Sequence, residues 1–291
     1  MGVVGEATSN WYGLGEGLME GGYRVHLANP AARPQYNGLK YPEAHAEARW
    51  WAHVVRLGGL PEGSIDPKAE RAGRDFWRHR AHWVRPHPAQ GLRVPTRMAR
   101  NPGSRCSAKR LVECTLAALQ GMLPTAEPVL AVTSSLAVVH GLGQQLNTLA
   151  KPVHTWLKPP PAYAQLQPVD GIGTTGAQTI VLETGAMGRF PPGGPYAADC
   201  RGVGSTTIRT GKRPGQGNVK NGHPSREGAS REAAPFALRF RPTVQRFSPR
   251  QQAQSPLMIA RQAVAPTLAR ACYYLMRDLV PVDVHTAFGG G

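Results

Sequence analysis

The spacing of apolar residues at the start of the chain predicts a strand, a helix and a second strand. Residues 2–6 form a short apolar run that ends at Glu6. Residues 11–21 place large apolar side chains at helical intervals, and two glycines close this pattern. Residues 23–27 form the second apolar run. This order of elements indicates part of a parallel sheet.

Helical spacing dominates the rest of the chain. Residues 43–57 carry a stripe of Trp and Val side chains that predicts one helix. The basic stretch 68–100 predicts a helix that Pro86, Pro88 and Pro95 interrupt, because an interior proline costs a helix roughly 3 kcal/mol. Two further helices are predicted from periodicity, a coiled-coil-like seam of Leu and Val over 136–157 and a strong helix over 258–278.

Glycines and cations concentrate between residues 168 and 222. Gly171 and Gly173 predict a tight turn in a helix-hairpin-helix, which presents backbone N–H groups at a helix N-terminus to a phosphate. Lys212, Arg213 and Lys220 follow in a glycine-rich loop. We interpret these five residues as a DNA-binding surface. The alternative is an ordinary glycine turn followed by a solvated charged loop.

The charge balance indicates a polyanionic partner. The sequence holds 34 Lys and Arg against 18 Asp and Glu, a formal net charge of +16, and its pI is near 10.4. Such an excess points to nucleic acid. An anionic membrane is the alternative, but the cations are dispersed and no apolar run reaches the ~20 residues of a spanning helix. We expect DNA as the partner, no membrane, no signal peptide and a cytoplasmic location.

Two sets of side chains that could carry chemistry have plain structural interpretations. The four cysteines contain no CxxC pair, which favours a reducing cytosol over a zinc ribbon or a disulfide scaffold. Trp50, Trp51, Tyr273 and Tyr274 are interpreted as core aromatics, with base stacking as the alternative.

Four blocks of sequence resemble the DEDD transposases of insertion-sequence family 110, subgroup 1111, in their order and spacing. The blocks are residues 5–32, 39–63, 169–190 and 268–288. The resemblance implies an α/β plus α fold with three parts. A truncated RNase H-like (RuvC-like) catalytic domain is expected over 1–102 and a helical coiled-coil connector over 103–160. A mainly helical C-terminal domain, with a helix-hairpin-helix and a basic loop, is expected over 161–291. It also implies an N-terminally truncated, degenerate copy, because the family's opening strand with its first Asp precedes the block at Glu6.

The resemblance also implies a magnesium site. Members of this family hold Mg²⁺ with four carboxylates from different elements. By position, the second acid falls on Glu6, the third on Ala44 and the fourth on Glu47, with Glu43 one helical turn before Glu47. Glu6, Glu47 and Glu43 are therefore the catalytic candidates, and Glu6 and Glu47 the metal ligands. The alternatives are a solvated turn carboxylate at Glu6 and acids that stabilise a helix N-terminus.

The implied activity is DNA transposition by a bacterial insertion-sequence transposase, a homo-oligomer guided by a structured RNA at the nucleoid. The family's serine nucleophile belongs in the basic loop, where the two aligned positions are Arg209 and Val219. Impaired strand transfer is therefore expected in this copy. Two alternatives are a non-catalytic nucleic-acid-binding remnant and a decayed reading frame whose product barely folds.

Overall fold

The computed structural model divides the chain into two compact units, Met1–Pro67 with Pro161–Gly291, and Lys68–Pro160. The predicted domain boundaries after residues 102 and 160 stay predictions. The residues that the structure describes are 2–7, 11–29, 44–84, 86–100, 110, 113–123, 125–156, 160–190, 193–201, 222–240, 242, 244 and 257–279.

A small parallel sheet begins the first unit. Strand β1 spans Gly2–Glu6, helix α1 spans Trp11–Glu20, and strand β2 spans Arg24–Ala28. The strands pair in parallel, with Glu6 opposite Ala28. The predicted strand-helix-strand order is confirmed, and β2 begins one residue later than expected.

Helix α2 spans Ala44–Arg56 and contacts β1. Its apolar stripe buries Trp51 and Val54, which confirms the helix predicted over 43–57. After α2 the chain returns along the other edge of β2, where the Gly63 amide donates to the Leu27 carbonyl at 2.7 Å. This antiparallel pairing places a third, very short segment beside the two strands.

Helices α3, Lys68–Val84, and α4, Pro86–Met98, begin the second unit. Pro86 separates them, as predicted, because proline is favoured at a first helical position and has no amide hydrogen with which to continue the preceding helix. The prediction of further breaks is wrong. Pro88 falls in the first turn of α4, where amides have no intrahelical acceptor, and the helix continues past Pro95, whose carbonyl accepts from the Ala99 amide at 2.9 Å.

Helices α5, Leu116–Met122, and α6, Ala126–Trp156, complete the second unit. Helix α6 contacts α3, α4 and α5. The first part of the seam predicted over 136–157 is confirmed: Leu136, Val139 and Leu142 are buried at steps of three, whereas Leu146 and Leu149 are half-buried. Leu136 belongs to the apolar core of this unit.

Helix α6 also has the length and hydropathy of a membrane-spanning helix over Ala126–Pro152, with a mean hydropathy of 1.2. No other helix in the described part of the chain meets this criterion. The expectation that no stretch of the chain is long and apolar enough to span a membrane is therefore corrected, because Ala126–Pro152 meets this criterion. The physical reason is that α6 carries very few charged residues while its many Ala, Gly, Ser and Thr residues break up any continuous apolar run. Core helices of water-soluble proteins meet the same criterion, so it is weak support for a span.

Six further elements pack around one core in the first unit. They are α7 (Pro161–Leu166), α8 (Thr174–Thr184), a 3₁₀ turn (Met187–Arg189), α9 (Gly193–Asp199), α10 (Pro224–Phe240) and α11 (Leu257–Asp278). Helix α11, which confirms the predicted final helix, contacts α7, α9 and α10, while α10 also contacts α8. Small side chains such as Ala233 and Ala237 of α10 let the helices approach closely.

About three quarters of the described residues, 75%, are helical, and two parallel strands are the only strands among them. A mainly helical C-terminal region is therefore confirmed. The RNase H-like assignment of the N-terminal region and the helix-hairpin-helix stay predictions.

The turn before α8 depends on a residue without a side chain. Gly171 has φ +89°, and a Cβ built on it would lie 2.3 Å from the Ala233 carbonyl oxygen of α10. We expect Gly171→Ala to lower the free energy of unfolding by about 2 kcal/mol or more, because both the backbone angle and the helix contact resist a side chain.

Gly228→Ala is the matched control, because Gly228 lies inside α10 with open space at its Cβ position. We expect this change to raise stability by about 0.5–1 kcal/mol. Urea unfolding followed by circular dichroism measures both changes. Equal stability of Gly171→Ala and the parent protein would contradict the packing described for this turn.

Candidate nucleic-acid interface and carboxylate positions

Glu6 occupies the last position of β1, as predicted. The parallel register puts it on the same face of the sheet as Val4 and His26. Its side chain is half-buried. The carboxyl end of a parallel strand is where ligands gather in open α/β sheets, so Glu6 has the position that the resemblance requires.

Glu47 lies in the first turn of α2, the helix that contacts β1. Its side chain is half-buried. Ala44, at the position of the third family acid, is the first residue of that helix. Glu43 lies outside the described residues. The structure therefore places Glu6 and Glu47 on two elements in contact.

A contact between His26 and Glu62 in this part of the first unit was missed by sequence reasoning. His26 Nδ1 is 2.6 Å from Glu62 Oε1, and the backbone of Glu62 bridges to Ala28. The pair joins β2 to the segment that returns after α2. Because the partners are 36 positions apart, no local spacing could have indicated the pair.

The magnesium site stays a prediction. Among the described residues, no group of three or more His, Cys, Asp or Glu side chains lies close enough to hold a metal ion, and Glu43 lies outside those residues. Mg²⁺ requires near-octahedral oxygen ligands, usually including carboxylates, and the nearby Glu62 is engaged with His26.

The glycine turn has one packed residue and one exposed residue. Gly171 approaches the backbone of α10, so its glycine character serves helix packing. Gly173 caps α8 with extended backbone angles, φ −71° and ψ 175°, and it is exposed together with Thr174 and Thr175. The Ala177 amide is bonded to the Gly173 carbonyl at 2.9 Å. The amides of the first turn that precede it have no acceptor within the helix and lie at the positive end of the helix dipole.

The residues on either side of the basic loop lie close together. Lys212, Arg213 and Lys220 lie outside the described residues, as do Arg209 and Val219, the two positions aligned with the nucleophile. A Cβ on Gly222, which has φ +99°, would lie 2.7 Å from Arg201 Cγ. The His223 amide donates to the Asp199 carbonyl at 2.6 Å. The segment between residues 201 and 222 thus begins and ends at one place.

Helix α10 meets the glycine turn and begins two residues after Gly222, the described residue that follows the basic loop in the chain. It begins at Pro224, just after the end of the basic loop, and its Ala233 meets Gly171. Nine residues at a rise of 1.5 Å separate Pro224 from Ala233, about 14 Å along the helix axis. The glycine turn and the base of the loop are therefore joined by one rigid element.

A set of ion pairs behind the loop base was also missed from the sequence. Arg226 of α10 is 2% exposed and donates to Asp199 at the end of α9. The Arg226 guanidinium also lies 5.4 Å from the Phe190 ring centre and 5.6 Å from that of Tyr196. The sequence gives no sign of this pair, because it joins residues 27 positions apart.

A contact between the side chains of Glu183 and His223 links helix α8 to the residues that follow the basic loop. Glu183 is buried in the last turn of α8, where the negative end of the helix dipole disfavours a carboxylate. His223 Nε2 lies 3.2 Å from Glu183 Oε2. The residue after Gly222 thereby links the loop end to α8.

The thiols and aromatics of this unit serve packing. Burial raises the pKa of the Cys200 thiol to about 11, so this thiol is protonated and unreactive at neutral pH. Trp51 and Tyr273 are buried, as expected for core aromatics. The same expectation is wrong for Tyr274, which is 41% exposed and lies 4.9 Å from the Arg277 guanidinium.

The chain matches no protein-family model and no curated protein at a significant level.

Two arginines of α10 provide a matched test of the buried pair. We expect Arg226→Ala to lower the free energy of unfolding by about 3 kcal/mol, because it removes a buried charge pair, two ring contacts and core volume. Arg231→Ala removes an ion pair with Glu227, in which the Arg231 side chain is 55% exposed. We expect this change to lower the free energy of unfolding by less than about 1 kcal/mol. Thermal and urea unfolding measure both, and equal losses would refute the role assigned to Arg226.

Proposed function

We propose that this chain is a transposase-like protein of a bacterial insertion sequence that binds DNA or structured RNA and is impaired in DNA strand transfer. The observation that carries the binding proposal is the arrangement around α10. This helix joins the exposed first turn of α8 to the base of a loop that carries Lys212, Arg213 and Lys220. Backbone amides and the cationic side chains of Lys and Arg both bind phosphate oxygens.

The charge of the whole chain supports the same partner. A net charge of +16 attracts a polyanion over long distances and raises its rate of association. Backbone amides and cationic side chains contact phosphates, whereas sequence is read by side chains placed against base edges. Binding therefore depends on the backbone, with little sequence preference and a strong dependence on salt.

The impaired activity is proposed from the carboxylates. Among the family positions, Glu6 and Glu47 carry acids in elements that touch, and Ala44 carries none. A non-catalytic nucleic-acid-binding remnant is the second candidate function. The absence of a three-residue metal cluster among the described residues favours it. A cytoplasmic, nucleoid-associated location and a homo-oligomeric state belong to the same proposal through the family resemblance.

The binding proposal predicts a steep salt dependence for the full chain. We expect the slope of log affinity against log salt to fall in magnitude by about 3 when Lys212, Arg213 and Lys220 are all changed to Gln, about one per lost phosphate contact. The control variant, Arg24→Gln with Arg49→Gln and Arg56→Gln, removes three exposed cations from β2 and α2. Filter binding to duplex DNA and to an RNA hairpin measures the slopes. A parent protein whose affinity does not change with salt would contradict the proposal.

The catalytic proposal predicts a negative result. We expect the purified protein, given Mg²⁺, element DNA and the matching guide RNA, to yield no recombinant junction, because the loss of a ligand or nucleophile removes several orders of magnitude of rate. Sequencing of amplified junctions provides the measurement. A junction that appears with the parent protein and disappears with Glu6→Ala would overturn the impairment and identify Glu6 as a working ligand.

A further inference from the structure

We propose that Phe236 and Phe240 of helix α10 form a stacking site for the unpaired bases of a nucleic acid. The inference rests on the proposed function for its partner class. It deepens that function by naming the form of nucleic acid that the site takes and two residues that contact its bases. The family resemblance gave neither residue a role.

Both rings are exposed to solvent. Phe236 is 52% exposed and Phe240 is 60% exposed. Large aromatic side chains are usually buried, because their transfer out of water is favourable. A single exposed apolar residue needs no explanation, whereas neighbouring ones often mark a binding surface. The pair is therefore a candidate contact site for a partner.

The two rings occupy one side of a helix that is fixed by its other side. A step of four residues places their Cβ atoms about 5–6 Å apart. Ala233, Ala234 and Ala237 of the same helix are buried in the core of the unit. The alanine face thus anchors α10 and leaves the two rings accessible in a defined position.

The glycine turn packs on the same part of α10. A Cβ built on Gly171 would lie 3.1 Å from the Ala237 nitrogen, and Ala237 directly follows Phe236 in the chain. The exposed first residues of α8, Gly173 and Thr174, come two and three positions after Gly171. A strand whose phosphates bind at the first turn of α8 therefore has its bases close to helix α10.

The charge of this part of the chain favours a nucleic acid as the occupant. Glu232 is the last acid before a stretch, residues 233–277, that contains seven arginines and no Asp or Glu. The guanidinium of Arg239 lies 5.4 Å from the Phe240 ring centre. Arginines among aromatic rings are typical of sites for single strands, because the cations attract the phosphates and the rings stack with the bases.

The rings suit unpaired bases and not paired ones. Within a duplex each base is stacked between its neighbours and presents only its edge in a groove. A base of a single strand exposes its flat face, and stacking of that face on an aromatic ring strengthens binding severalfold or more. Every base has such a face, so the site adds affinity with little sequence preference.

Two other occupants suit these rings less well. Half-exposed, the two rings together offer roughly 200 Å² of apolar surface, well below the roughly 800 Å² that each partner buries in a stable protein interface. Two copies of the chain would also repel each other, because each has a net charge of +16. A helix that lies on a membrane needs a wide apolar face, whereas the alanine face of α10 is buried in its own unit.

The test compares three probes at one low salt concentration: an oligothymidine, an abasic strand of equal length and a blunt duplex. The abasic strand keeps the phosphates and lacks the bases. We expect the full chain to bind oligothymidine at least about tenfold more tightly than the abasic strand, because stacking on two rings is lost without bases. Fluorescence anisotropy titrations measure the three affinities. This comparison uses the parent protein and needs no variant.

Phe236→Leu with Phe240→Leu keeps two apolar side chains and removes the flat rings. We expect this variant to lose at least about tenfold in affinity for oligothymidine while its affinities for the abasic strand and the duplex stay those of the parent. Phe236→Trp with Phe240→Trp keeps flat rings, so we expect it to retain the preference for oligothymidine. Because both side chains are exposed, circular dichroism is expected to show unchanged helicity.

Tyr23→Leu is the matched control. Tyr23 is an aromatic residue that is 45% exposed and lies just before β2, outside the region assigned to nucleic acid. We expect its replacement to leave all three affinities unchanged.

The possible outcomes separate this inference from the function on which it rests. If the parent protein binds oligothymidine and the abasic strand equally, or if the leucine variant loses the same factor on all three probes, the inference falls and the proposed binding function stands. If the parent binds none of the probes, both fall. Sedimentation and anionic lipid vesicles form the last arms. A leucine variant that is changed only in self-association or only in vesicle binding would overturn the inference.

Discussion

The close approach of the α8 turn to helix α10 is the constraint on which the C-terminal part of the structure depends. Ala233 and Ala237 leave the α10 backbone accessible, and Gly171 meets it where a Cβ would lie 2.3 Å from a carbonyl oxygen. This contact sets the position of α8, so it also sets where the exposed amides at Gly173 and Thr174 point. A glycine whose role is packing thereby fixes the geometry of a potential anion-binding turn.

Electrostatics hold α10 in that position. Arg226 is buried between Asp199 and the rings of Phe190 and Tyr196, and it joins α10 to the end of α9. Removing a buried pair partner generally costs far more than removing an exposed one, because the remaining charge loses its compensation. Two acids of the C-terminal region pair with groups of the same unit: Asp199 contacts Arg226, and Glu183 lies beside His223. The cations on the outer surfaces account for the net charge that an anionic partner would meet.

Local patterns predicted the elements well, and the limits of prediction have a physical origin. The short apolar runs gave β1 and β2, and helical periodicity gave α1, α2 and α11, because each pattern is contained within a few residues. The pairs His26–Glu62 and Asp199–Arg226 could not be predicted, since tertiary folding brings together partners 36 and 27 positions apart. Gly171 was interpreted from its local turn, and only the fold reveals its contact with α10. The apolar pattern predicted the strand that ends at Glu6 and the helix that contains Glu47, but such a pattern contains no information on whether the two side chains converge.

Hydrogen–deuterium exchange of the full chain, with and without a short duplex or an RNA hairpin, tests most directly whether phosphate contacts join the chain to nucleic acid. Exposed amides of a helix N-terminus exchange rapidly until a ligand accepts their hydrogen bonds. The expected result is slower exchange at residues 173–176 when nucleic acid is added, with unchanged exchange along β1 and β2. Protection confined to the β1–β2 sheet, or no protection at the first turn of α8, would contradict the assignment of the binding surface to the region around α10.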